Sequence, residues 1–474
     1  MFYSQQTTFP KDKMKQSLYR IYYAFFILGM FFLSFNEYEG INVLGEFKRE
    51  AGALFLFAGF LILIIDFFRG SKLSLPLNSF VFQILLFFLA WCILTTLINY
   101  PSVSLSYFKH TSGTSRFIRQ YVALLISTLI FFTLYWNVIV RMELKDILYK
   151  IRKVFLCSLV FATIYGFLET LNRFFGIGSL THVLRLFNYF PFTEVNYHIE
   201  GRISSFCFEP PFLAIYLTTI AGWMFSYILT EKKGPLKFVP TICVVFLTYF
   251  SGSRTGLLVV FFQVFIFGIM LYRDQRYKKY IRTSITAFVA VASLLMVVNG
   301  EKIFKSVSEK VESLDFSSNM KTNVSNKSRF GLQYASIQVF KEHPIIGVGF
   351  GQQTYFSRLH YPFWATNNNW EFKEMYKNKN DLSFPPGYNL YTRLLAETGL
   401  VGTLLFLALI YFSVKIARQT MRNSDGDKRI LAMIVYISLI GLYINWLQID
   451  AFRIYGVWLS LAILIRFSYN TKKT

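Results

Sequence analysis

Residues 210–229 read PPFLAIYLTTIAGWMFSYIL, a run of twenty residues that contains no Asp, Glu, Lys or Arg. An α-helix needs about 20 apolar residues to cross the hydrocarbon core of a bilayer, so this stretch is long enough to span one. Phe117–Val140 is a second long apolar block, with almost no charge. Blocks of this length and composition predict a polytopic, all-α membrane protein.

The composition of the whole chain supports the same class. Of its 474 residues, 54% are hydrophobic and 16% are charged, whereas about a quarter of the residues in soluble domains are charged. Dividing the chain at its apolar blocks predicts twelve membrane spans, at residues 18–36, 51–68, 78–98, 117–140, 154–172, 210–229, 238–250, 255–272, 281–299, 388–414, 430–447 and 454–467.

The net charge of +23 would suggest a nucleic-acid partner if the protein were soluble. Here the Lys and Arg residues lie between the spans, and most of those outside the one long loop fall on the same side as the N-terminus. Because short cytoplasmic loops are enriched in Lys and Arg, both termini are predicted to be cytoplasmic. The expected environment is the lipid bilayer, and no nucleic-acid partner is expected.

One predicted outer loop is far longer than the others, and it divides the chain into three parts. Residues 1–299 are predicted to form spans one to nine, residues 300–387 a large extracytoplasmic loop with amphipathic helices, and residues 388–474 the last three spans. Within the loop, helical spacing predicts a surface helix at residues 301–314 and a second helix from Arg329 to Glu342.

The stretch FKEHPIIGVGFGQ, Phe340–Gln352, contains the glycine pattern G-x-G-x-G within that loop. A dinucleotide-binding loop would need G-x-G-x-x-G between a strand and a helix, and neither element is predicted here. The glycines are expected instead to allow sharp turns and a close approach to the helical bundle.

The residues that follow the glycines, YFSRLHYPFWATNNNWEF, are rich in aromatic and amide side chains. This mixture suits carbohydrate, and Trp364 and the nearby His343 are candidate sugar-binding residues. The equally weighted alternative is that these aromatic residues form a belt at the membrane interface.

Charged residues near the outer ends of spans are the main functional candidates, because ionisable groups at membrane depth are costly. Only sixteen residues separate Lys237 from Arg254, and that length of helix is about 24 Å. The turn SGSR would then lie within the outer leaflet, with Arg254 facing a polar cavity. The alternative is an Arg whose long side chain reaches the headgroups.

Glu209 directly precedes the uncharged block of residues 210–229, and Arg202 lies seven residues earlier. The carboxylate of Glu209 is predicted either to face the mouth of the bundle or simply to cap the helix that begins at Pro210. Arg329 begins the second predicted loop helix, where an Arg is ordinarily solvated.

Further candidates lie at the start of the tenth span and near the end of the chain. Arg393 and Glu397 are four residues apart and could simply pair with each other. Tyr388 and Asn389 precede them, and Arg453 lies in the last outer turn. The predicted substrate-binding set is therefore Tyr388, Asn389, Arg393, Glu397, Arg453, His343 and Trp364.

Several guanidinium groups at the outer mouth would suit a phosphorylated lipid headgroup. Guanidinium binds phosphate through paired, planar hydrogen bonds and keeps its charge at all relevant pH values. If that headgroup leaves during a reaction, the same charges stabilise the transition state. The five His and four Cys form no pattern typical of a metal site, so no metal or other cofactor is expected.

Over roughly residues 150–420, the chain resembles the superfamily of O-antigen polymerases and O-antigen ligases. Three of its motifs carry the resemblance. The serine–arginine turn with R-x-x-x-L is similar to Ser253, Arg254 and Leu258. The signature that ends in GvGfG is similar to His343–Gly351, with the family's loop arginine at Arg329. A third motif is similar to the residues Asn389, Tyr391, Leu394 or Leu395, Glu397, Gly399 and Gly402.

This resemblance implies a membrane-embedded, inverting glycosyltransferase of GT-C-like fold that acts without a metal. Its substrate would be an undecaprenyl-pyrophosphate-linked oligosaccharide, with a chain-length regulator protein as a candidate partner. The implied location is the bacterial inner membrane, with the active site on the extracytoplasmic side. Arg254, Arg202, Glu209 and Arg329 are then the expected catalytic residues.

Two features favour a polymerase of oligosaccharide repeat units over a ligase. Ligases of this family carry a His directly before the motif Asn, where this chain has Tyr388, and Tyr is a poor base at neutral pH. The pattern from Arg202 to Pro210 is similar to one in polymerase-type members. The alternatives are a ligase that transfers the glycan to lipid A core and a non-enzymatic flippase.

Overall fold

A computed structural model describes residues 10–195, 201–231, 234–273 and 323–469, together with positions 278 and 282. Apart from position 282, the predicted ninth span (281–299) lies outside the described residues, as does the predicted surface helix at 301–314. In the described part, apolar helices are joined by short 3₁₀ and π-helical turns.

The helices, numbered here in chain order, are α1 (Pro10–Phe31), α2 (Ala51–Phe68), α3 (Phe80–Ile98), α4 (Tyr100–Leu105), α5 (Gly113–Leu125), α6 (Phe131–Ile139), α7 (Leu144–Asp146), α8 (Arg152–Arg173), α9 (Leu180–Arg185), α10 (Pro210–Thr230), α11 (Val239–Phe250), α12 (Arg254–Arg273), α13 (Val324–Glu342), α14 (Gln353–Ser357), α15 (Phe363–Thr366), α16 (Leu390–Arg422), α17 (Gly426–Asn445) and α18 (Tyr455–Ser468). The described residues form one sheet, an antiparallel pair of β1 (Tyr107–Phe108) and β2 (Thr111–Ser112).

Seven described helical segments are long and apolar enough to cross a membrane: Ala51–Phe68, Phe80–Ile98, Gly113–Ile139, Leu144–Arg173, Pro210–Thr230, Arg254–Arg273 and Leu390–Arg422. Three shorter apolar helical segments accompany them, at Leu18–Ser34, Pro235–Phe250 and Tyr455–Ser468. The expected class, an all-α polytopic membrane protein, is confirmed. The division at residues 299 and 387 and the orientation of the chain stay predictions.

The helix α10, which contains the uncharged block, lies at the centre of the bundle. Within its most apolar window, 72% of the residues are buried inside the protein. It packs against α17, where a Cβ on Gly222 would lie 3.0 Å from the carbonyl oxygen of Ile434. A Cβ on Gly456 would likewise lie 2.5 Å from Thr219 of α10. Small residues at these contacts allow the helix backbones to approach closely, as is usual in membranes.

The glycine stretch forms a hairpin, and this hairpin fits into a break in α16. Gly399 has φ +62° and ψ −163°, which interrupts the helix. Backbone N–H groups of Val348 and Gly349 donate to the carbonyl oxygens of Ala396 and Glu397 at 3.0 and 2.9 Å. In return, the N–H of Leu400 donates to the carbonyl of Pro344 at 2.8 Å. The hairpin therefore supplies the hydrogen bonds that the broken helix lacks.

Two side chains at the C-terminal end of α3, Thr95 and the C-cap Asn99, donate hydrogen bonds to the other side of this hairpin. Thr95 Oγ1 donates to the carbonyl of Ile346 at 2.7 Å, and Asn99 Nδ2 donates to the carbonyl of Gly347 at 3.1 Å. Gly347, Gly349 and Gly351 have φ values of +78°, +100° and +79°. Only glycine adopts this region freely, so the expected sharp turns and close approach are confirmed.

Two local predictions about the loop are wrong. The second loop helix begins at Val324 and not at Arg329, because the Asn323 side chain caps it by accepting the N–H of Asn326 at 3.2 Å. A helix also follows the glycines, although none was expected there. In this short helix, α14, the Gln353 side chain bridges to Ser357 Oγ at 3.1 Å, which stabilises a single turn.

Candidate functional site

The turn from Ser251 to Arg254 joins α11 to α12 and presents Arg254 as the first residue of α12. Ser253 Oγ accepts the N–H of Gly256 at 3.2 Å, which caps the new helix. Helix α11 has twelve residues, about 18 Å of helix. The segment before the arginine is short, as expected. Arg254 follows it across the turn and is half-buried.

Arg202 lies directly against this turn. A Cβ on Gly252, which has φ +63°, would lie 3.0 Å from Cγ and 3.3 Å from Nε of Arg202. The segment is fixed by the N–H of Ile203, which donates to the carbonyl of Phe250 at 3.2 Å. Arg173 Nη1 also donates to the carbonyl of Arg202 at 2.8 Å. The glycine therefore leaves room for the stem of Arg202.

Arg329 approaches the same place from helix α13. The charges of Arg202 and Arg329 both act on Arg254, so each of the two lies within electrostatic range of it; the three residues are called the arginine group below. The Arg329 guanidinium lies 5.0 Å from the ring centre of Tyr388. Among the described residues, its buried Nε atom has no hydrogen-bond partner. The structure thus brings together three of the four residues predicted as catalytic, and each comes from a different segment.

The fourth predicted catalytic residue, Glu209, lies within electrostatic range of Arg329. It occupies the N-cap position of α10, but its side chain caps no backbone N–H group. The surrounding protein desolvates the carboxylate and raises its pKa, while the positive charge of Arg329 opposes that rise. The carboxylate is therefore free to face a substrate, and the capping alternative does not describe its side chain.

Glu37 is a further carboxylate beside Glu209. Burial raises the pKa of Glu37 to about 7, with Arg49 opposing the rise and the charges of Glu194 and Glu209 adding to it. The buried Oε2 atom of Glu37 has no hydrogen-bond partner among the described residues. No motif surrounds Glu37, and the only hint in the sequence is the cluster of carboxylates in the loop between the first two spans.

Arg393 and Glu397 pair with each other inside the protein. Arg393 Nε donates to Glu397 Oε1 at 3.1 Å, its Nη1 to the carbonyl of Asp450 at 2.8 Å, and its Nη2 to Gln120 Oε1 at 3.1 Å. Asn389 caps α16, because its Oδ1 accepts the N–H groups of Tyr391 and Thr392 at 2.9 and 3.1 Å. In this structure the guanidinium of Arg393 and Oδ1 of Asn389 are therefore hydrogen-bonded within the protein.

The other predicted substrate-binding residues are dispersed. Arg453 pairs with Glu50 at 3.2 Å and lies 3.9 Å from Glu46. His343 ends α13 and packs against Phe356, with ring centres 5.8 Å apart. Trp364 packs edge-on against Tyr334 in a small aromatic cluster of the loop.

Tyr388 is the substrate-binding candidate that lies beside the arginine group. Its hydroxyl shares a hydrogen bond of 2.9 Å with the hydroxyl of Tyr376, and burial raises its pKa. A phenol with a raised pKa stays protonated near neutral pH, so Tyr388 is suited to donate a hydrogen bond and not to act as a base.

Two neighbouring cavities share part of their lining, and Arg202, Arg254 and Arg329 are not among the described residues that line them. The first, about 550 Å³, is lined by Phe208 and Phe212, which flank Glu209 in the chain, and by Arg49. The second, about 370 Å³, contains Arg116, Phe350 and Phe384. Three residues line both cavities: Glu46, Arg119 and Arg453.

A third cavity, about 570 Å³, lies at the other end of the bundle. Its lining includes Arg273, the last residue of α12, and Arg422, the last residue of α16. Arg254 begins α12, and a twenty-residue helix is about 30 Å long. This cavity is therefore separated from the arginine group by the whole length of the helix.

Comparison with known families supports the motif resemblance. Residues 239–407 match the family model Wzy_C, which is described as O-antigen ligase. The matched segment contains Arg254, Arg329, the glycine hairpin and the break at Gly399. No curated protein matches the chain. This match confirms the resemblance of the chain to the superfamily of O-antigen polymerases and O-antigen ligases.

Proposed function

We propose that this membrane protein is a glycosyltransferase that polymerises lipid-pyrophosphate-linked oligosaccharide repeat units into a surface polysaccharide. The observation that carries the proposal is the arginine group (Arg202, Arg254 and Arg329) beside Glu209. Three positive charges, with a carboxylate on which the charge of Arg329 acts, suit a substrate with a diphosphate and a hydroxyl that must lose a proton. The Wzy_C match supports the same class of reaction.

The reaction is an inverting displacement at the anomeric carbon. The acceptor hydroxyl oxygen forms a bond to that carbon, and the bond from the carbon to the phosphate oxygen breaks with its electron pair. The departing diphosphate gains negative charge, which the three guanidinium groups stabilise. The proton of the acceptor hydroxyl passes to the carboxylate of Glu209 and then to water. A carboxylate with a raised pKa is a better proton acceptor than an ordinary one.

Because the charged side chains come from separate segments, they can hold the donor and the acceptor oligosaccharide at the same time. The apolar lipid tail remains in the bilayer, while the diphosphate is held at the ends of α10 and α12. We place this site on the extracytoplasmic side of the bacterial inner membrane, as the distribution of Lys and Arg favours. Bringing donor and acceptor into contact removes much of the entropic barrier to their reaction.

A ligase is the second candidate, because the matching family model is described as O-antigen ligase. Tyr388 favours the polymerase, since it occupies the position where ligases of this family have His and its raised pKa makes it a poor base. A flippase is the third alternative, and the grouped arginines give it no particular support.

Deleting the protein and separating the surface glycan on a gel distinguishes the three. Loss of a polymerase leaves single repeat units on the acceptor. Loss of a ligase leaves finished polymer on the lipid carrier, and loss of a flippase leaves single units inside the cell. We expect the first pattern, and either of the others would overturn the proposed polymerase activity.

A further inference from the structure

The cavity beside Arg116 is a separate feature from the arginine group. Arg116 lies on α5, and its guanidinium stacks 4.2 Å from the ring centre of Phe384. Its buried Nε has no hydrogen-bond partner, and no ion pair to Arg116 is present among the described residues. Burying a guanidinium without a polar partner is costly, so this group is expected to bind something that the protein itself does not provide.

The other three guanidinium groups of this cavity are already paired. Arg119 lies 3.2 Å from Glu46, while Arg393 binds Glu397 and Arg453 binds Glu50. Two carboxylates, those of Glu46 and Asp450, line the cavity themselves. Glu397 and Glu50 reach Arg393 and Arg453 from outside the lining, so that four carboxylates in all accompany four guanidinium groups. A site for a diphosphate would need an excess of positive charge, and this cavity lacks one.

The remaining polar groups suit neutral hydroxyl groups. Arg116 offers N–H donors to the cavity. Asp450 offers a carboxylate whose Oδ2 accepts the N–H of Gly387 at 2.6 Å, and its Oδ1 accepts no hydrogen bond from the described part of the chain. Rings of Phe350, Phe384 and Phe452 line the same space. Donors, an acceptor and apolar rings together can bind the hydroxyl groups and the apolar face of a sugar.

The size and position of the cavity also suit a sugar ring. Its volume of about 370 Å³ lies within the range of small-molecule sites, about 300–1,000 Å³. The side chain of Arg119 is 48% exposed, so the cavity is open to a polar ligand from solution. It shares Glu46, Arg119 and Arg453 with the neighbouring cavity, which is also lined by Phe208 and Phe212, the residues that flank Glu209 in the chain.

We infer that this cavity, lined by Arg116, Phe384 and Asp450, is a sugar-binding subsite that holds a ring of the oligosaccharide away from the bond being formed. The inference rests on the proposed function, since it places the rest of the same substrate. Binding there would fix the position of the glycan relative to Glu209 and contribute to the selection of the repeat unit.

The test measures oligosaccharide binding without turnover. The probe is the repeat-unit oligosaccharide obtained by partial acid hydrolysis of the host's surface polysaccharide. Affinity is measured by calorimetry on the full chain in nanodiscs, in an Arg254→Ala background. Arg116→Gln is expected to raise Kd by about tenfold or more, because hydrogen bonds to charged groups are strong. Phe384→Ala is expected to weaken binding as well.

Arg358→Gln is the matched control. The Arg358 guanidinium also stacks on a Phe ring, 4.7 Å from the centre of Phe108, but Arg358 does not line the cavity. The Arg358→Gln variant should bind the probe as tightly as the parent does. Each variant must have the same melting temperature as the parent. If Arg116→Gln melts at a lower temperature, the affinity of Phe384→Ala decides the question. Equal affinities for the cavity variants and Arg358→Gln, or no binding by the parent, would overturn the inference.

The two proposals fail in different ways. If wild-type protein polymerises the lipid-linked substrate while Arg116→Gln and Phe384→Ala bind the probe normally, the subsite is wrong and the enzyme assignment stands. If binding depends on Arg116 but wild-type protein makes no polymer from lipid-linked units, the subsite stands and the polymerase assignment is wrong.

Discussion

Gly252 shows how a single residue without a side chain can position a functional one. Its φ of +63° and the 3.0 Å approach of Arg202 Cγ leave no room for a Cβ. Because Arg202 has a flexible stem, a Cβ at Gly252 would push the guanidinium aside more readily than it would open the turn. The glycine thus matters to the arginine group through geometry alone.

Gly252→Ala should therefore reduce turnover more than stability. The positive φ costs about 1–2 kcal/mol in stability, and displacing Arg202 should lower turnover by about tenfold or more. Gly176→Ala is the control, because Gly176 has φ +70° with nothing within 4 Å. Thermal melting of the purified variants measures the change in stability, and their rate of polymer synthesis measures the change in turnover. Equal turnover in the two variants would show that Arg202 need not lie where it does.

Glu37 should make the stability of the protein depend on pH. Its folded-state pKa of about 7 lies above its ordinary value of 4.5, so the folded state binds a proton more tightly than the unfolded state. The stability that this proton gives is fully present below pH 4.5 and is lost as the pH rises through 7. Glu37→Gln, which stays neutral, should therefore be more stable than wild type above pH 7.

The measurement compares melting temperatures of the two proteins at pH 5 and pH 8 in the same detergent. Because Glu37 is only half-buried, the gain at pH 8 should be modest, about 1 kcal/mol. A gain of the same size at both pH values would mean that Glu37 does not titrate in this range.

At the scale of elements, the most informative feature is the hairpin in the break of α16. The sequence indicated why residues 347–351 need glycine, but not which element they contact. Gly399 sits inside an otherwise apolar helical pattern, and nothing local reveals that the helix opens there. The partner could not be predicted, because Val348 and Ala396 meet only after the 47 residues between them have folded.

Gly347→Ala should separate the hairpin from α16. A Cβ there would lie 2.5 Å from the carbonyl carbon of Glu397, and backbone atoms cannot move aside. The expected loss of stability is more than about 2 kcal/mol. Gly70→Ala is the control, with φ +87° and nothing within 4 Å. Similar melting temperatures for both variants would contradict the packing role of this glycine.

For the whole molecule, long apolar blocks predicted the membrane class and most helix positions correctly. They did so because bilayer thickness constrains helix length more strictly than a soluble core does. Arg202 and Arg254 could be chosen from their positions near span ends, and Arg329 from its place in the family motif. That the three lie near one another depends on three separate segments and could not be predicted. Asn389 and Arg393 were chosen by the same reasoning, yet capping and ion pairing occupy their polar atoms.

The predicted orientation can be tested with single cysteines. Asn368 is exposed in the long loop, and Asn423 follows α16 at its far end. With the native Cys residues replaced, Asn368→Cys should react with an impermeant thiol reagent added to intact cells from which the outer barrier has been removed. Asn423→Cys should react only after lysis. The reverse pattern would place the arginine group on the cytoplasmic side.

The most direct test of the arginine group is the turnover of purified Arg254→Ala in a reconstituted assay with lipid-linked repeat units. We predict a loss of at least about 100-fold, the usual effect of removing a group that stabilises transition-state charge. Arg254→Lys should recover part of the activity, because the charge remains without the planar fork. Arg273→Ala, at the opposite end of α12, should behave like wild type. Polymer of wild-type length formed by Arg254→Ala at the wild-type rate would contradict the account.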